Sequence, residues 1–152
     1  MVVLVDGQVC QTGPVDEVFR HPADVRVAAS VGVENVLSGE IVARDSGLAT
    51  VQVGAAHLEC VDSGETGAVF ACVRAEDVTL APGAAAASSA RNRLAGRIRS
   101  IVREGALARV ELDCGFPLVA VVTAQSAADL NLRVEDPMSA VIKATSVHLL
   151  PR

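Results

Sequence analysis

The sequence NRLAGRI at residues 92–98 matches NVLSGEI at residues 35–41 along its whole length. A second match follows further on, between VRAEDVTL at residues 73–80 and IKATSVHL at residues 142–149. The copies are offset by 57 residues at the first match and by 69 at the second, so the second copy is longer by about twelve residues. We interpret the matches as an internal duplication. Chance similarity between two valine-rich strands is the alternative.

Each copy has the pattern of a series of short strands. Runs that contain β-branched residues alternate with turn residues, as at Asp45-Ser46-Gly47 and Asp62-Ser63-Gly64. The extra length of the second copy, at residues 123–132, predicts a turn and a short helix. The predicted strands are residues 36–43, 49–53, 57–61 and 68–74, and then 94–103, 107–113, 116–123 and 138–144. About five short strands per half are typical of a small Greek-key or OB-like barrel.

Residues 1–32 have a different pattern. Two short strands joined by Asp6-Gly7 predict a β-hairpin. Pro14 begins a helix, and a second short helix follows at residues 23–31. Helical spacing places three apolar residues on one face of the first helix, namely Val15, Val18 and Phe19.

The predicted fold class is mainly β. Two tandem OB-like barrels, at residues 33–82 and 88–152, follow a short β-hairpin and a helical segment at residues 1–32. Half of the 152 residues are apolar, but the chain has no Trp, no Tyr and three Phe, so Val, Ala, Leu and Ile must form the core.

Composition also excludes several classes of protein. A net charge of −5 argues against a nucleic-acid-binding protein. No apolar run approaches the ~20 residues of a membrane helix, and the first residues do not resemble a signal peptide, so we expect a cytoplasmic chain.

No metal centre or nucleophilic site stands out. The four cysteines form no C-x-x-C pair and lie in apolar runs, which indicates buried reduced thiols: Cys10, Cys60, Cys72 and Cys114. The three histidines are far apart along the sequence and have no second ligand at metal spacing: His21, His57 and His148.

Donor groups concentrate in two places. Residues 88–92 (SSARN) combine two hydroxyls, a guanidinium and a carboxamide before a strand, which suits a small oxyanion. A polar linker is the alternative. Lys143, the only lysine in the chain, lies between Ile142 and Ala144 in an apolar run, where a bound anion would pair it. Otherwise it reaches the surface or pairs with a carboxylate.

Two resemblances give these patterns a context. Residues 6–7, 11–14 and 17–19, with Pro22, Gly32 and Asn35, resemble the end of the nucleotide-binding domain of an ABC importer ATPase. That segment joins the ATPase core to a C-terminal regulatory domain. The chain lacks a G-x-x-x-x-G-K-[ST] motif, so we expect it not to be an enzyme by itself.

Residues 89–92, 123–130 and 142–147 resemble the Mop family of molybdate-binding domains, called TOBE domains where they end an ABC ATPase. The resemblance implies a pair of barrels that bind molybdate or tungstate, without a covalent cofactor. The implied oxyanion-binding residues are Ser89, Ala90, Arg91, Asn92, Thr123, Lys143, Ala144 and Thr145. It also implies a homodimer that works with the ATPase domain and a membrane permease, at the cytoplasmic side of the inner membrane.

The first copy departs from the family pattern. Glu34 stands where the second copy has Arg91, and the acidic residues Glu76 and Asp77 follow Arg74. Because carboxylates disfavour a dianion, we expect the first copy to be a scaffold. Residues 133–137 also lack the glycine usual in this family. The alternative function is a ligand-free TOBE module that dimerises the ATPase subunits of a sugar, polyamine or sulfate importer.

Overall fold

The computed structural model describes residues 1–83 and 87–152. Within them the chain forms three sheets and three short α-helices. The first part contains β1 (Val2–Val5), β2 (Gln8–Thr12), α1 (Val15–Arg20), α2 (Val25–Ser30), β3 (Asn35–Asp45), β4 (Leu48–Val53), β5 (Ala56–Val61), β6 (Ala68–Val73), a 3₁₀ turn (Ala75–Asp77) and β7 (Thr79–Ala81). The second part contains β8 (Asn92–Glu104), β9 (Leu107–Asp113), β10 (Pro117–Thr123), α3 (Ala124–Asp129), β11 (Pro137–Ile142), a second 3₁₀ turn (Ala144–Ser146) and β12 (His148–Pro151).

The opening segment folds as a hairpin and two short helices, as predicted. Asp6 and Gly7 join β1 to β2 with φ angles of 50° and 77°, the left-handed conformation that a two-residue hairpin turn requires. Pro14 lies at the N-cap of α1 instead of its first helical position. The carboxylate of Asp24 caps α2 by accepting hydrogen bonds from the N–H groups of Arg26 and Val27.

The apolar face of α1 is only partly buried. Val18 is fully buried, but Val15 and Phe19 are 59% and 37% exposed. The helix is only six residues long, and Val18 is its buried residue. The guanidinium of Arg74 lies 5.3 Å over the ring of Phe19 and covers part of it.

The two copies exchange their last strands. The five-stranded sheets have the orders β12-β6-β3-β4-β5 and β10-β9-β8-β11-β7. β7 from the first copy pairs with β11 of the second, and β12 from the second copy pairs with β6 of the first. The sheets therefore cross the predicted division between residues 82 and 88. They are not closed barrels, but the fold is mainly β and OB-like.

Both copies contribute to one aliphatic core. Its largest buried side chains include Val51, Leu58, Ile98, Leu112 and Leu118. Burying an aliphatic side chain of this size stabilises a fold by about 1.5–3 kcal/mol. Since neither Trp nor Tyr occurs in the chain, many such contributions replace a few large aromatic ones.

A second cluster fixes residues 1–33 to the first sheet. Val18 and Val27 of the helices pack with Cys72 on β6 and Leu150 on β12. The helical segment therefore lies against the strand that the second copy supplies.

All four cysteines are free thiols, as predicted. Cys60 and Cys72 are buried, whereas Cys10 and Cys114 are half-buried. Burial is the main cause that raises the pKa of Cys60, Cys72 and Cys114 to about 11. These three thiols are therefore protonated at neutral pH and are weak nucleophiles. Each helix in the described parts of the chain is too short to traverse a bilayer.

Candidate functional site

Two asparagines hold the copies together. Asn35 and Asn92 are the buried polar residues of the part of the chain that the structure describes. The carboxamide of Asn92 bonds to both backbone groups of Glu59 on β5, at 2.7 and 2.8 Å. Asn35 bonds in the same way to Val119 on β10, at 2.8 Å in both bonds. Asn92, which the sequence assigns to the oxyanion site, thus has its side chain committed to the contact between the copies.

Arg91 is also held by Glu59. Its Nε donates to Oε2 at 2.9 Å and its Nη2 donates to Oε1 at 3.1 Å, a bidentate pair. The carboxylate raises the pKa of Arg91, mainly through the hydrogen bond. An oxyanion at Arg91 would have to compete with this carboxylate. On the other copy, Glu34 forms an ion pair with Arg109.

The pocket that we call the Lys143 pocket has a volume of about 440 Å³. It brings together three of the predicted residues, Ser89, Ala90 and Lys143. Its other lining residues are Glu76, Asp77, Thr79, Ser88, Val141 and Ser146. The acidic residues Glu76 and Asp77 were not predicted to lie beside Lys143.

Charge in the Lys143 pocket is unfavourable for a dianion. Lys143 is exposed and forms no ion pair with residues 1–83 or 87–152, so its position does not require an anion. Glu76 and Asp77 line the same pocket. Partial burial and the nearby Glu76 raise the pKa of Asp77, and Arg74 opposes the shift. One ammonium group therefore faces two carboxyl groups.

The turn before β8 already uses some of its donors. The N–H of Ala90 donates to the hydroxyl oxygen of Ser88 at 3.3 Å, and Arg93 Nη2 donates to the same oxygen at 3.0 Å. The hydroxyl hydrogen of Ser88 remains a donor. The N–H of Ala90 is therefore already engaged within the turn, whereas the hydroxyl of Ser88 can still donate to a ligand.

A larger pocket of about 620 Å³ lies between the end of α1 and the second 3₁₀ turn. We call it the Arg74 pocket. Its polar lining residues are Arg20, His21, Ser63, Arg74, Asp77, Thr145, Ser146 and His148. Apolar side chains complete the lining, among them Phe19, Val33, Val61, Cys72 and Leu149.

Arg74 anchors the helical segment at this pocket. Its Nη2 donates to the carbonyl of Phe19 at 2.8 Å and its Nη1 donates to the carbonyl of Val31 at 3.1 Å. Glu76 lies 3.8 Å from the guanidinium. A guanidinium has five N–H donors, so three remain for a ligand.

Two histidines that are distant in the sequence meet at the same pocket. The ring centroids of His21 and His148 are 5.3 Å apart, in an edge-to-face arrangement. Burial lowers the pKa of His148, and proximity to His21 lowers it further, while a hydrogen bond to Pro22 and the charge of Glu65 oppose the shift. No group of three metal-ligating residues occurs in the described parts of the chain.

The two pockets are counterparts in the duplication. The match between residues 73–80 and 142–149 aligns Arg74 with Lys143, and it aligns Glu76-Asp77 with Thr145-Ser146. Because the copies exchange their last strands, each 3₁₀ turn contributes to the pocket of the other copy. Thr145 therefore lines the Arg74 pocket and Glu76 the Lys143 pocket. Glu76 and Asp77 also lie beside Arg74, as the sequence predicted, whereas Thr145 was predicted beside Lys143 and lines the Arg74 pocket instead.

The remaining predicted residues lie elsewhere. The hydroxyl oxygen of Thr123 accepts from the N–H of Ser126 at 3.0 Å and caps α3. Ala144 is buried. The predicted site did not include Arg20, His21, Ser63, Ser146 or His148, although Ser146 is the counterpart of Asp77 at the 69-residue offset.

Comparison with known proteins agrees with the resemblance. Residues 88–149 match the model of the TOBE domain. The molybdate/tungstate import ATP-binding protein WtpC of Pyrococcus horikoshii is 30% identical over 150 residues, 98% of this chain and 41% of WtpC. The molybdenum import ATP-binding protein ModC of Brucella abortus is 36% identical over 153 residues, 97% of this chain and 42% of ModC.

A sulfate transport protein is equally similar. The sulfate/thiosulfate import ATP-binding protein CysA of Burkholderia pseudomallei is 35% identical over 149 residues, 97% of this chain and 40% of CysA. The chain thus spans about two fifths of the length of these relatives.

The fold also matches a solved structure. The cytoplasmic molybdate-binding protein ModG, crystallised with molybdate bound, matches with a TM-score of 0.69 and 29% identity, over 79% of this chain and 97% of ModG. Residues 88–149 thus match the TOBE domain, and the chain as a whole is similar to parts of import ATP-binding proteins for molybdate, tungstate and sulfate.

Proposed function

We propose that this chain is an oxyanion-binding regulatory domain of an ABC importer ATPase, with molybdate or tungstate as its ligand. The observation that carries the proposal is the pair of pockets between the copies, each lined by cationic and hydroxyl side chains, in a fold that matches molybdate-bound ModG. Each pocket contains one member of the aligned Arg74 and Lys143 pair. A tetrahedral dianion needs such cationic and hydroxyl donors.

The regulatory role follows from what binding would do to this architecture. Each pocket is built from both copies, since each receives a 3₁₀ turn from the copy that does not supply its cation. A ligand that contacts both copies stabilises their packing by its binding free energy. Through Arg74, which holds the carbonyls of Phe19 and Val31, the same pocket reaches the helical segment. We propose that molybdate sensing passes through this segment to the ATPase domain.

The partners and the cellular location are proposed from the similar proteins. They are import ATP-binding proteins, so the partners would be an ATPase domain, a membrane permease and a second copy of this chain. The location would be cytoplasmic, peripheral to the inner membrane. We assign ATP hydrolysis to the ATPase domain and not to residues 1–152, which an ATPase assay on this chain would test.

A ligand-free module that dimerises the subunits of another importer is the second candidate. The Arg91–Glu59 pair and the two carboxyl groups beside Lys143 favour it, because they oppose an anion where the family pattern places one. The similarity to CysA adds sulfate as a competing ligand.

Calorimetric titration with molybdate, tungstate and sulfate separates these candidates. The proposal predicts micromolar or tighter molybdate binding, with sulfate much weaker. Light scattering on the same samples gives the oligomeric state. Absence of heat and of thermal stabilisation at millimolar molybdate, with a stable dimer, would favour the dimerisation module.

A further inference from the structure

We propose that the oxyanion site of this chain is the Arg74 pocket, at the first copy, and not the Lys143 pocket to which the family motif points. This inference rests on the proposed function, because it assumes that the chain binds a tetrahedral oxyanion. It differs from that function in naming a site that includes the helical segment.

Charge distinguishes the two pockets. The Arg74 pocket is lined by Arg20, Arg74 and Asp77, and the carboxylate of Glu76 lies 3.8 Å from the Arg74 guanidinium. Two cations thus stand against two carboxyl groups. The Lys143 pocket has one cation against the same two carboxyl groups, Glu76 and Asp77. Since a dianion loses hydration on entering a pocket, nearby cations are needed to offset that loss. The Arg74 pocket has one cation more and is therefore the more favourable of the two.

The hydroxyl groups of two residues also favour the Arg74 pocket over the Lys143 pocket. Thr145 lines the Arg74 pocket at the position where Glu76 lines the Lys143 pocket. Ser63 lines only the Arg74 pocket of the two, and Ser146 lines both. A hydroxyl donates to an anion, whereas an ionised carboxylate can only accept. The strand exchange therefore moved the donor-rich turn to Arg74 and the acidic turn to Lys143.

Arg74 is oriented for this role. Its bonds to the carbonyls of Phe19 and Val31 hold the guanidinium in place while three N–H groups stay available. The pocket, at about 620 Å³, has room for a tetrahedral dianion with part of its hydration shell. Arg20, at the end of α1, adds a second cation from the helical segment.

The test is calorimetric titration of the 152-residue chain with sodium molybdate, comparing one variant in each pocket. Arg20→Gln and Thr145→Val each weaken binding about threefold or more, and Arg74→Gln weakens it about tenfold. The matched control, Lys143→Gln, removes one cation from the other pocket and leaves affinity within about twofold.

A loss of binding must be distinguished from a loss of folding in these variants. Arg74→Gln also removes the bonds to Phe19 and Val31, so its thermal unfolding is measured alongside. Arg20 and Thr145 make no side-chain hydrogen bond to a described residue in the structure, so these two variants carry the decision.

The outcomes are distinguishable. Weaker binding by Arg20→Gln and Thr145→Val with Lys143→Gln unchanged supports the Arg74 pocket. A loss in Lys143→Gln equal to or larger than that in Arg20→Gln overturns the assignment, as does wild-type affinity in every variant. A wild-type chain that binds neither molybdate nor tungstate overturns the proposed function itself.

Discussion

The side chain of Asn92 completes the edge of a sheet that belongs mainly to the other copy, by bonding to both backbone groups of Glu59. Glu59 lies on β5, an edge strand, so its outward N–H and C=O have no neighbouring strand. The carboxamide supplies one acceptor and one donor in place of that strand. Asn35 does the same for Val119 on β10, the corresponding edge of the second sheet.

Replacing Asn92 with Ala removes both bonds and leaves two backbone groups of Glu59 without partners. We expect the free energy of unfolding to fall by about 2–3 kcal/mol, because unpaired buried polar groups are costly. Urea denaturation measures the change. Gln125→Ala, which removes an exposed carboxamide from α3, is the matched control and should change stability by less than about 0.5 kcal/mol. Equal losses in the two variants would contradict this role for Asn92.

The Arg91–Glu59 ion pair should contribute far less to stability than the bonds of Asn92 to the same residue. Arg91 and Glu59 have side chains that are 53% and 32% exposed. Glu59→Gln keeps the backbone groups that Asn92 binds, so we expect a loss below about 1 kcal/mol by urea denaturation. A larger loss would show that the charge, and not the backbone contact, joins the copies.

Gly39 tolerates no side chain. A Cβ atom there would lie 2.6 Å from the carbonyl oxygen of Gln52 and from a methyl carbon of Val51. Gly39→Ala should therefore destabilise the fold by about 1–3 kcal/mol, as overpacking does. Gly13→Ala is the control, since the nearest atom to its Cβ would be 3.6 Å away. Thermal unfolding of both variants checks the prediction, and an unchanged midpoint for Gly39→Ala would refute it.

Asp77 should limit oxyanion affinity, whichever pocket binds. It lines both the Arg74 and the Lys143 pockets, and burial together with Glu76 raises its pKa. Asp77→Asn removes a negative charge without changing size, so we expect molybdate affinity to increase about threefold to tenfold by calorimetry. Glu111→Gln, an exposed change of the same kind on β9, should leave the affinity unchanged. A decrease for Asp77→Asn would mean that the carboxyl group is protonated and donates a hydrogen bond to the ligand.

Stability should fall as the pH is lowered through the range in which histidine titrates. The pKa of His148 is lower in the folded chain than in the unfolded chain, mainly because the ring is buried. Between the two pKa values the unfolded chain binds more protons, so acid favours unfolding. The contribution is fully present above about pH 6.5, the unfolded value, and is lost as the pH falls below it.

The variant His148→Gln tests this dependence. Urea denaturation at pH 7.5 and pH 5.5 should show a smaller difference in stability for His148→Gln than for the wild type. His57→Gln, at an exposed position on β5, serves as the control. A difference that persists unchanged in His148→Gln would assign the pH dependence to other groups.

Strands whose neighbours follow directly in the sequence could be predicted, and the two exchanged strands could not. Residues 107–113 were predicted as a strand and form β9 with the same bounds, because seven residues show the alternation of buried and exposed positions. β7 and β12 have three and four residues and were not predicted as separate strands. Their conformation depends on partners in the other copy, and a short apolar run does not identify its partner.

The duplication, the β class and the aliphatic core could be read from the sequence, because they depend on internal matches, periodicity and composition along the chain. The TOBE resemblance rests on the motifs at residues 89–92, 123–130 and 142–147. Three of the predicted site residues, Ser89, Ala90 and Lys143, line one pocket in the structure. Which other groups share a pocket depends on the tertiary structure. The exchange of β7 and β12 brings Thr145 to Arg74 and Glu76 to Lys143, and packing of β5 brings Glu59 to Arg91. These contacts join residues that are far apart in the sequence. They depend on which strands pair across the core, so local sequence patterns do not predict them.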